Sequence, residues 1–464
     1  MDEIMMRKLS VGERLMYLDR KTSFNIYFGI RVIGEIKEDQ IAHALGVVQA
    51  KHPLLRSVIR QDKNGAPCYH VLKKYKPIPI RIVPWENEQS WWGEIDYEWS
   101  TPFDLENGSP VRLLWVKGKE KSDLIVTSPH VICDGASFIV IIKELLELID
   151  NPATVLENYS LCGDLAGMIP EKYLLQGNKN LYAKLGVKLG GSILKVANRL
   201  TKKRQFAIQA IQWTLPENQT KALISACKAN KTTIHAALCV AFLRGFNQVI
   251  HKNKKSKLKV ISPVDIRKFL PDLKPDMLFS FAPAVRTAIS GDRNLDFWNT
   301  TRQVLEDLKI STSEEKVYKM LSKDEVIHPL VPNLSRFMQN TKGGHKLTLS
   351  NLGKISIPQQ YKNFQTDKML GPIVDFPWYN SNTLIVNTLN GVMSFVFLAN
   401  HYTLTAQQMR EIVTLSMEKL QTECRWEAYD ILSQALTLEK EKLDANDLYT
   451  LKNKREKHHA IYSS

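Results

Sequence analysis

Two hydrophobic periods alternate along the N-terminal third of the chain. Helical spacing marks "LSVGERLMYLD", where Ser10 is placed to cap a helix and Glu13, three residues on, to complete a capping box. The same spacing returns in "KEDQIAHALGVVQAKHP", an amphipathic helix that Pro53 ends. Between them, "FNIYFGIRVIG" alternates as a strand. Short strands are predicted around residues 56–59, 68–72 and 79–83, with a clearer one in "SPVRLLWVKG". The run "DLIVTSP" is continuous, β-branched and apolar, as a buried strand is. After six intervening residues, "ASFIVIIKELLELID" sets Phe138, Ile141, Ile142, Leu145, Leu146 and Ile149 at helical spacing. Elements interleaved in this way predict a mixed α/β layer arrangement.

The pattern breaks between residues 150 and 206. An irregular stretch leads into "LYAKLGVKLGGSILKVANRLTKKRQ", where Leu181, Leu185, Leu189, Ile193, Val196 and Leu200 form one stripe of a helix and Lys184, Lys188, Lys195 and Arg199 lie mostly off it. Two readings follow: a crossover helix between lobes that docks its leucines on the body, or a basic amphipathic helix on an anionic membrane. Gly186, Gly190 and Gly191 weaken it as a free-standing helix. Farther on, "FAIQAIQWTLP" reads as a strand, "ENQTKALISACKANK" and "TTIHAALCVAFLRGFNQVI" as helices, and "LKVISPVDIRKFLP" as a strand. The charged helix "DFWNTTRQVLEDLKI" follows, then strands in "KLTLSNLGKI", "NTLIVNTLNG" and "VMSFVFLANHYTL". A last helix starts near Thr405, and the polar, basic end "NKREKHHAIYSS" is expected to fray. No repeat or low-complexity tract interrupts the order.

Length and charge sharpen the picture. The 464 residues suffice for two or three domains, each with a core of its own. No uncharged apolar run approaches the roughly 20 residues of a membrane span, and the N-terminus has no signal-peptide pattern. The six cysteines (68, 133, 162, 227, 239 and 424) are scattered without a C-x-x-C, which argues against disulfides or zinc and for a reducing, cytoplasmic setting. The formal charge of +15 is concentrated: residues 179–204 hold eight Lys or Arg and 251–259 five, with no acid in either stretch. Without a phosphate loop, a recognition motif or aromatic-basic interleaving, nucleic acid is not the expected partner. Carrier proteins, coenzyme A phosphates and anionic lipid fit such clusters better.

Candidate chemistry centres on "TSPHVICDGASF". His130 ends the buried strand, Asp134 and Gly135 follow, and the helix begins, so a titratable ring sits at the rim of a rigid scaffold. Gly135 would allow a sharp turn or a close approach. There is no G-x-S-x-G elbow for a serine nucleophile, no H-x-x-x-H or H-E-x-x-H for a metal, and Cys133 has no activating context. General-base catalysis on a bound acceptor is the leanest reading. A surface loop or a satisfied core imidazole is the alternative.

"HVICDG" resembles the H-x-x-x-D-G motif of the thioester-dependent acyltransferases, which include chloramphenicol acetyltransferase, plant BAHD enzymes, condensation domains and polyketide-associated acyltransferases such as phthiocerol dimycocerosyl transferase. "KHPLLRSVI", "SPVDIRKFLP" and "TLSNLGKI" resemble the family's "HPxLR", "PVDxR" and "SNxG" segments, in the family's order. Pro129 stands where condensation domains carry a further histidine, and "DFPWY" only echoes the plant enzymes' D-F-G-W-G. Both departures favour the stand-alone, polyketide-associated branch.

The resemblance implies an α/β fold of α+β two-layer sandwiches: two chloramphenicol-acetyltransferase-like lobes, 1–170 and 207–464, joined by a basic crossover at 171–206, with an active-site channel between them. It implies His130 as general base and Asp134 turned away to pair with Arg267. Ser350 and Asn351 would line the channel and help polarise the thioester; as core strand residues they would do neither. His52 and His235 are expected to pack. The reaction implied is acyl transfer from acyl-CoA or a phosphopantetheinyl acyl carrier protein to a small-molecule or lipid alcohol, in lipid or polyketide-type metabolism. No metal or bound cofactor is implied. A monomer is expected, cytoplasmic, with peripheral membrane contact through 179–204 as one possibility. A free-standing condensation enzyme that forms amides, and a silent carrier-binding relative, are the rivals. The lysines of 251–259 would lie at the far end of a strand from Arg267, roughly 25 Å away, too far to touch the reacting thioester.

Overall fold

The computed structural model describes residues 3–438 apart from 19–23, 162, 176, 206, 253–254, 281–282, 293, 428–430, 432 and 434. Cys162 and the expected frayed end therefore lie outside the described residues.

Three sheets organise the chain. A small antiparallel one has the order β1 (Glu3–Lys8), β4 (Pro67–Leu72), β3 (Ser57–Gln61). A five-stranded sheet runs β12 (Phe364–Val374), β2 (Asn25–Gly34), β7 (Lys121–Pro129), β6 (Arg112–Lys117), β5 (Ile80–Pro84). The seven-stranded sheet of the second half runs β10 (Ala284–Ile289), β9 (Leu258–Pro263), β11 (Leu347–Lys354), β13 (Thr383–Leu389), β14 (Val392–Asn400), β8 (Ile208–Leu215), β15 (Leu436–Leu438). Helices Glu38–Lys51 and Gly135–Asp150 pack together in the first lobe, and Ile234–His251 and Ala406–Cys424 in the second. The two-lobed mixed α/β architecture is the one expected.

The division at 1–170 and 207–464 needs one correction. Strand β12 comes from the second half but pairs antiparallel with β2, so the first lobe's sheet is completed by residues 364–374. Its sequence, "FQTDKMLGPIV", is half polar and gave no strand signal of its own. Strand β2 departs from its pattern too: Tyr27 and Arg31 are as buried as the apolar residues between them, because both sheet faces are covered. Arg31 is tolerated there because Asp123 on β7 accepts from its Nε at 2.7 Å and from Nη2 at 2.9 Å. The N-terminal capping box forms as expected, Ser10 Oγ accepting from the Glu13 N–H and Glu13 from the Ser10 N–H.

The crossover is a helix, Gly177–Leu200, seated on helices Glu314–Ile327 and Val331–Asn340. It docks Leu194 but not the stripe of Leu181, Leu185, Leu189 and Leu200. Gly190 and Gly191 face Leu330, where a Cβ on Gly191 would come within 3.1 Å of the leucine's Cδ2, and Asn198 donates to the Asn333 carbonyl at 2.9 Å. The small side of the helix packs, and the large aliphatic side faces out. No single helix among the described residues is long and apolar enough to cross a membrane.

Candidate active site

His130 follows the last residue of β7, and β2 fixes where that strand ends: Asn25 pairs with Pro129. The His130 N–H donates to the Phe24 carbonyl at 2.6 Å. Its ring meets Phe24 edge-on at 5.2 Å, and Phe24 is itself flanked by Phe376 and Trp378 of the "DFPWY" segment. On the other side Ser280 donates its hydroxyl to the His130 carbonyl and lies 3.4 Å from Nδ1. The imidazole is half-buried. Burial lowers its pKa below the usual histidine value, opposed by a hydrogen bond to its own carbonyl and by the charge of Asp134. At neutral pH the ring is therefore neutral, and with its proton on Nδ1 the other nitrogen, Nε2, would be the one to accept a proton.

Asp134 caps the helix that follows, its Oδ1 accepting from the Ser137 N–H and the Ser137 hydroxyl, each at 2.8 Å. Arg267 reaches it from the second half of the chain. Its Nη1 donates to Oδ2 and its Nη2 to Oδ1, each at 2.9 Å, a bidentate pair. Both side chains are nearly sealed from water. Desolvation alone would lower the guanidinium's pKa; the Asp134 carboxylate more than offsets it and raises it further. Arg267 also donates to the Phe279 carbonyl at 3.1 Å, while Phe279 O accepts the Asp134 N–H at 3.3 Å. One segment, residues 267–280, thus holds the whole His130–Ser137 turn.

Gly135 stands at a close approach rather than in a left-handed turn. A Cβ there would meet Leu352 Cδ2 at 2.7 Å, so the end of β11 abuts the His130 turn. That strand pairs with β9 only at Leu347 and Thr348, and beyond them the two strands part. Ser350 and Asn351 fall in this parted stretch, half-buried, with Asn351 Oδ1 accepting the Gly353 N–H at 2.9 Å. Ser350 shares the strand face of Leu352.

The expected packing histidines pack. His52 is buried, 2.8 Å from Glu144, in a cluster where Lys51 bridges Glu144 (2.6 Å) and Asp276 (2.8 Å). His235 bonds Ser262 at 2.8 Å, and burial drives its pKa down to about 4. Burial pushes the Cys133 thiol far up, which removes it as a nucleophile. No group of three potential metal ligands gathers among the described residues. The sequence reading missed Phe24, Ser137, Phe279 and Ser280; none lies in a motif, and only the helical cap Asp134–Ser137 could have been anticipated from local spacing.

Residues 15–152 match the family of condensation domains, and residues 204–368 match the phthiocerol/phthiodiolone dimycocerosyl transferase C-terminus. Among curated proteins, surfactin synthase subunit 2 of Bacillus subtilis is 24% identical over 71% of this chain, and the nonribosomal peptide synthetase agiA of Aspergillus flavus 27% over 31%. The chain spans only 9% and 2% of their respective lengths. Among solved structures, trichothecene 15-O-acetyltransferase from Fusarium sporotrichioides superimposes with a TM-score of 0.68 at 11% identity, covering 91% of this chain and 95% of that one. Polyketide synthase associated protein 5 from Mycobacterium tuberculosis gives 0.63 at 14% identity, covering 91% and 99%. These likenesses concern the fold.

Proposed function

On the matches of residues 15–152 and 204–368, we propose that the chain is a member of the superfamily of condensation domains and polyketide-associated acyltransferases and moves an acyl group from a coenzyme A or acyl-carrier-protein thioester to a hydroxyl. One observation carries the reading: a histidine kept neutral by burial, with its backbone fixed from both lobes and its Nε2 uncommitted. Nε2 accepts the proton of the acceptor hydroxyl as the oxygen attacks the thioester carbonyl. The C–O bond forms, the C–S bond breaks, and the imidazolium returns the proton to the departing sulfur. Ser350 and Asn351 line the approach at the parted strands and polarise the carbonyl. Asp134, Gly135 and Arg267 position the turn and touch no substrate.

The match of residues 15–152 to condensation domains favours a carrier-bound donor and gives amide formation as the second reading. Pro129, in place of a further histidine, favours the ester. The test is thiol release from acyl-CoA and acyl-carrier donors with pooled alcohols or pooled amines, beside His130→Ala. Release that needs an alcohol and fails in the variant is the expected result. Release with amines alone moves the assignment to condensation. Release that persists in the variant, or none while a carrier protein still binds, overturns the catalytic reading in favour of a carrier-binding protein.

A further inference from the structure

The crossover helix is inverted relative to the usual logic of an amphipathic helix on a protein. At 100° per residue, Ala183, Val187, Gly190, Leu194, Ala197 and Asn198 share the side turned to the body, and each is at least partly buried. The opposite side carries Leu181, Leu185, Leu189, Ile193, Val196 and Leu200, between 54% and 80% exposed, with Tyr182 at 70%. From Leu181 to Leu200 this stripe runs about 28 Å, with Ser192 and Arg199 along one edge of it. Lys184, Lys188 and Lys195 line one flank, beside a cavity of about 970 Å³ that they share with Lys8. Residues 179–204 contain eight cations and no acid.

We propose that this face docks flat on an anionic lipid surface, the aliphatic stripe entering the acyl boundary and the lysines meeting headgroup phosphates. The helix is fully formed and held by Asn198, Arg204 and the Leu330 contact, so no folding has to accompany binding. An unpartnered line of large aliphatics is costly in water and favourable in the interfacial region, where an exposed tyrosine also sits well. The charge is complementary to anionic headgroups, and lysine stems can lie along the apolar stripe while their ammonium groups reach outward. A specific protein partner is the weaker occupant, because lysine is depleted and mixed polar rims are the rule at protein interfaces.

The test uses the full chain and vesicles of neutral phosphatidylcholine, with or without about a third phosphatidylglycerol, in a flotation assay. The wild type is expected to float with anionic vesicles only, and to do so at least about tenfold more weakly at about 0.5 M salt than at about 0.1 M. Leu185→Ser/Leu189→Ser/Ile193→Ser should lower the partition by at least about tenfold, with unchanged melting temperature and thiol release. Lys184→Gln/Lys188→Gln/Lys195→Gln should remove the preference for anionic lipid. Wild-type protein that does not float, or a triple-serine variant that floats equally well, overturns the proposal. So does light scattering that finds a wild-type dimer split by the triple-serine change, or loss of carrier-protein binding in that variant without any vesicle binding.

Discussion

Asp134→Ala is the sharpest probe of how the site is held. The carboxylate accepts four hydrogen bonds at 2.8–2.9 Å, two from Arg267 and two from Ser137. Truncation leaves the buried guanidinium with the Phe279 and Met277 carbonyls, the Ser137 hydroxyl at 3.0 Å and Asp265 at 3.2 Å, whose own side chain is 57% exposed. Breaking one side of a buried ion pair costs about 3–5 kcal/mol, and about 1 kcal/mol of that is the lost helix cap. At roughly 2–4 °C per kcal/mol for a lobe of this size, the melting temperature should fall on the order of 10 °C. Asp134→Asn keeps a capping oxygen but no charge and should fall less. Arg267→Ala, made alone and with Asp134→Ala, closes a thermodynamic cycle measured by thermal melts. The second substitution should cost about 2 kcal/mol or more below its cost alone. Additive losses, or single losses under about 2 °C, would refute the claim that this pair holds the turn.

Other expectations bear on the base and its surroundings. The acid limb of thiol release should titrate below the usual histidine value of about 6.5, since burial disfavours the protonated ring; a limb above that value contradicts the assigned environment. Stability should decline as pH falls from about 6.5 toward 4: the unfolded chain binds protons there that His235 and His345, each driven to about 4, refuse in the folded state. His235→Gln should flatten that decline, as read from urea midpoints across pH. Ser280→Ala removes one hydrogen bond to the His130 backbone, about 1 kcal/mol, so kcat should drop roughly fivefold with KM unchanged. Gly135→Val should lower both stability and kcat by crowding Leu352, and Leu352→Ala should restore part of each.

What the sequence made legible follows from where each signal is stored. The strand–turn–helix carrying His130, Asp134 and Gly135 was legible because its causes are local: a continuous apolar run, a capping aspartate and a helical stripe. Strand β12 was not, since its burial comes from pairing with β2, more than 300 residues earlier, rather than from its own pattern. Arg267 was placed only by resemblance. Nothing in "PVDIR" states that its guanidinium spans the lobes to the helix cap. Ser280 and Phe279 were invisible for the same reason, acting through a hydroxyl and a carbonyl that any loop contains. The crossover helix was underdetermined for another reason. Its period was right and its orientation stayed open between two readings, because amphipathicity says that two faces differ and not which one packs; the side of Gly190 and Gly191 is the one that packs on Leu330. The same packing leaves six large aliphatics facing outward, the orientation that the membrane reading of the sequence required.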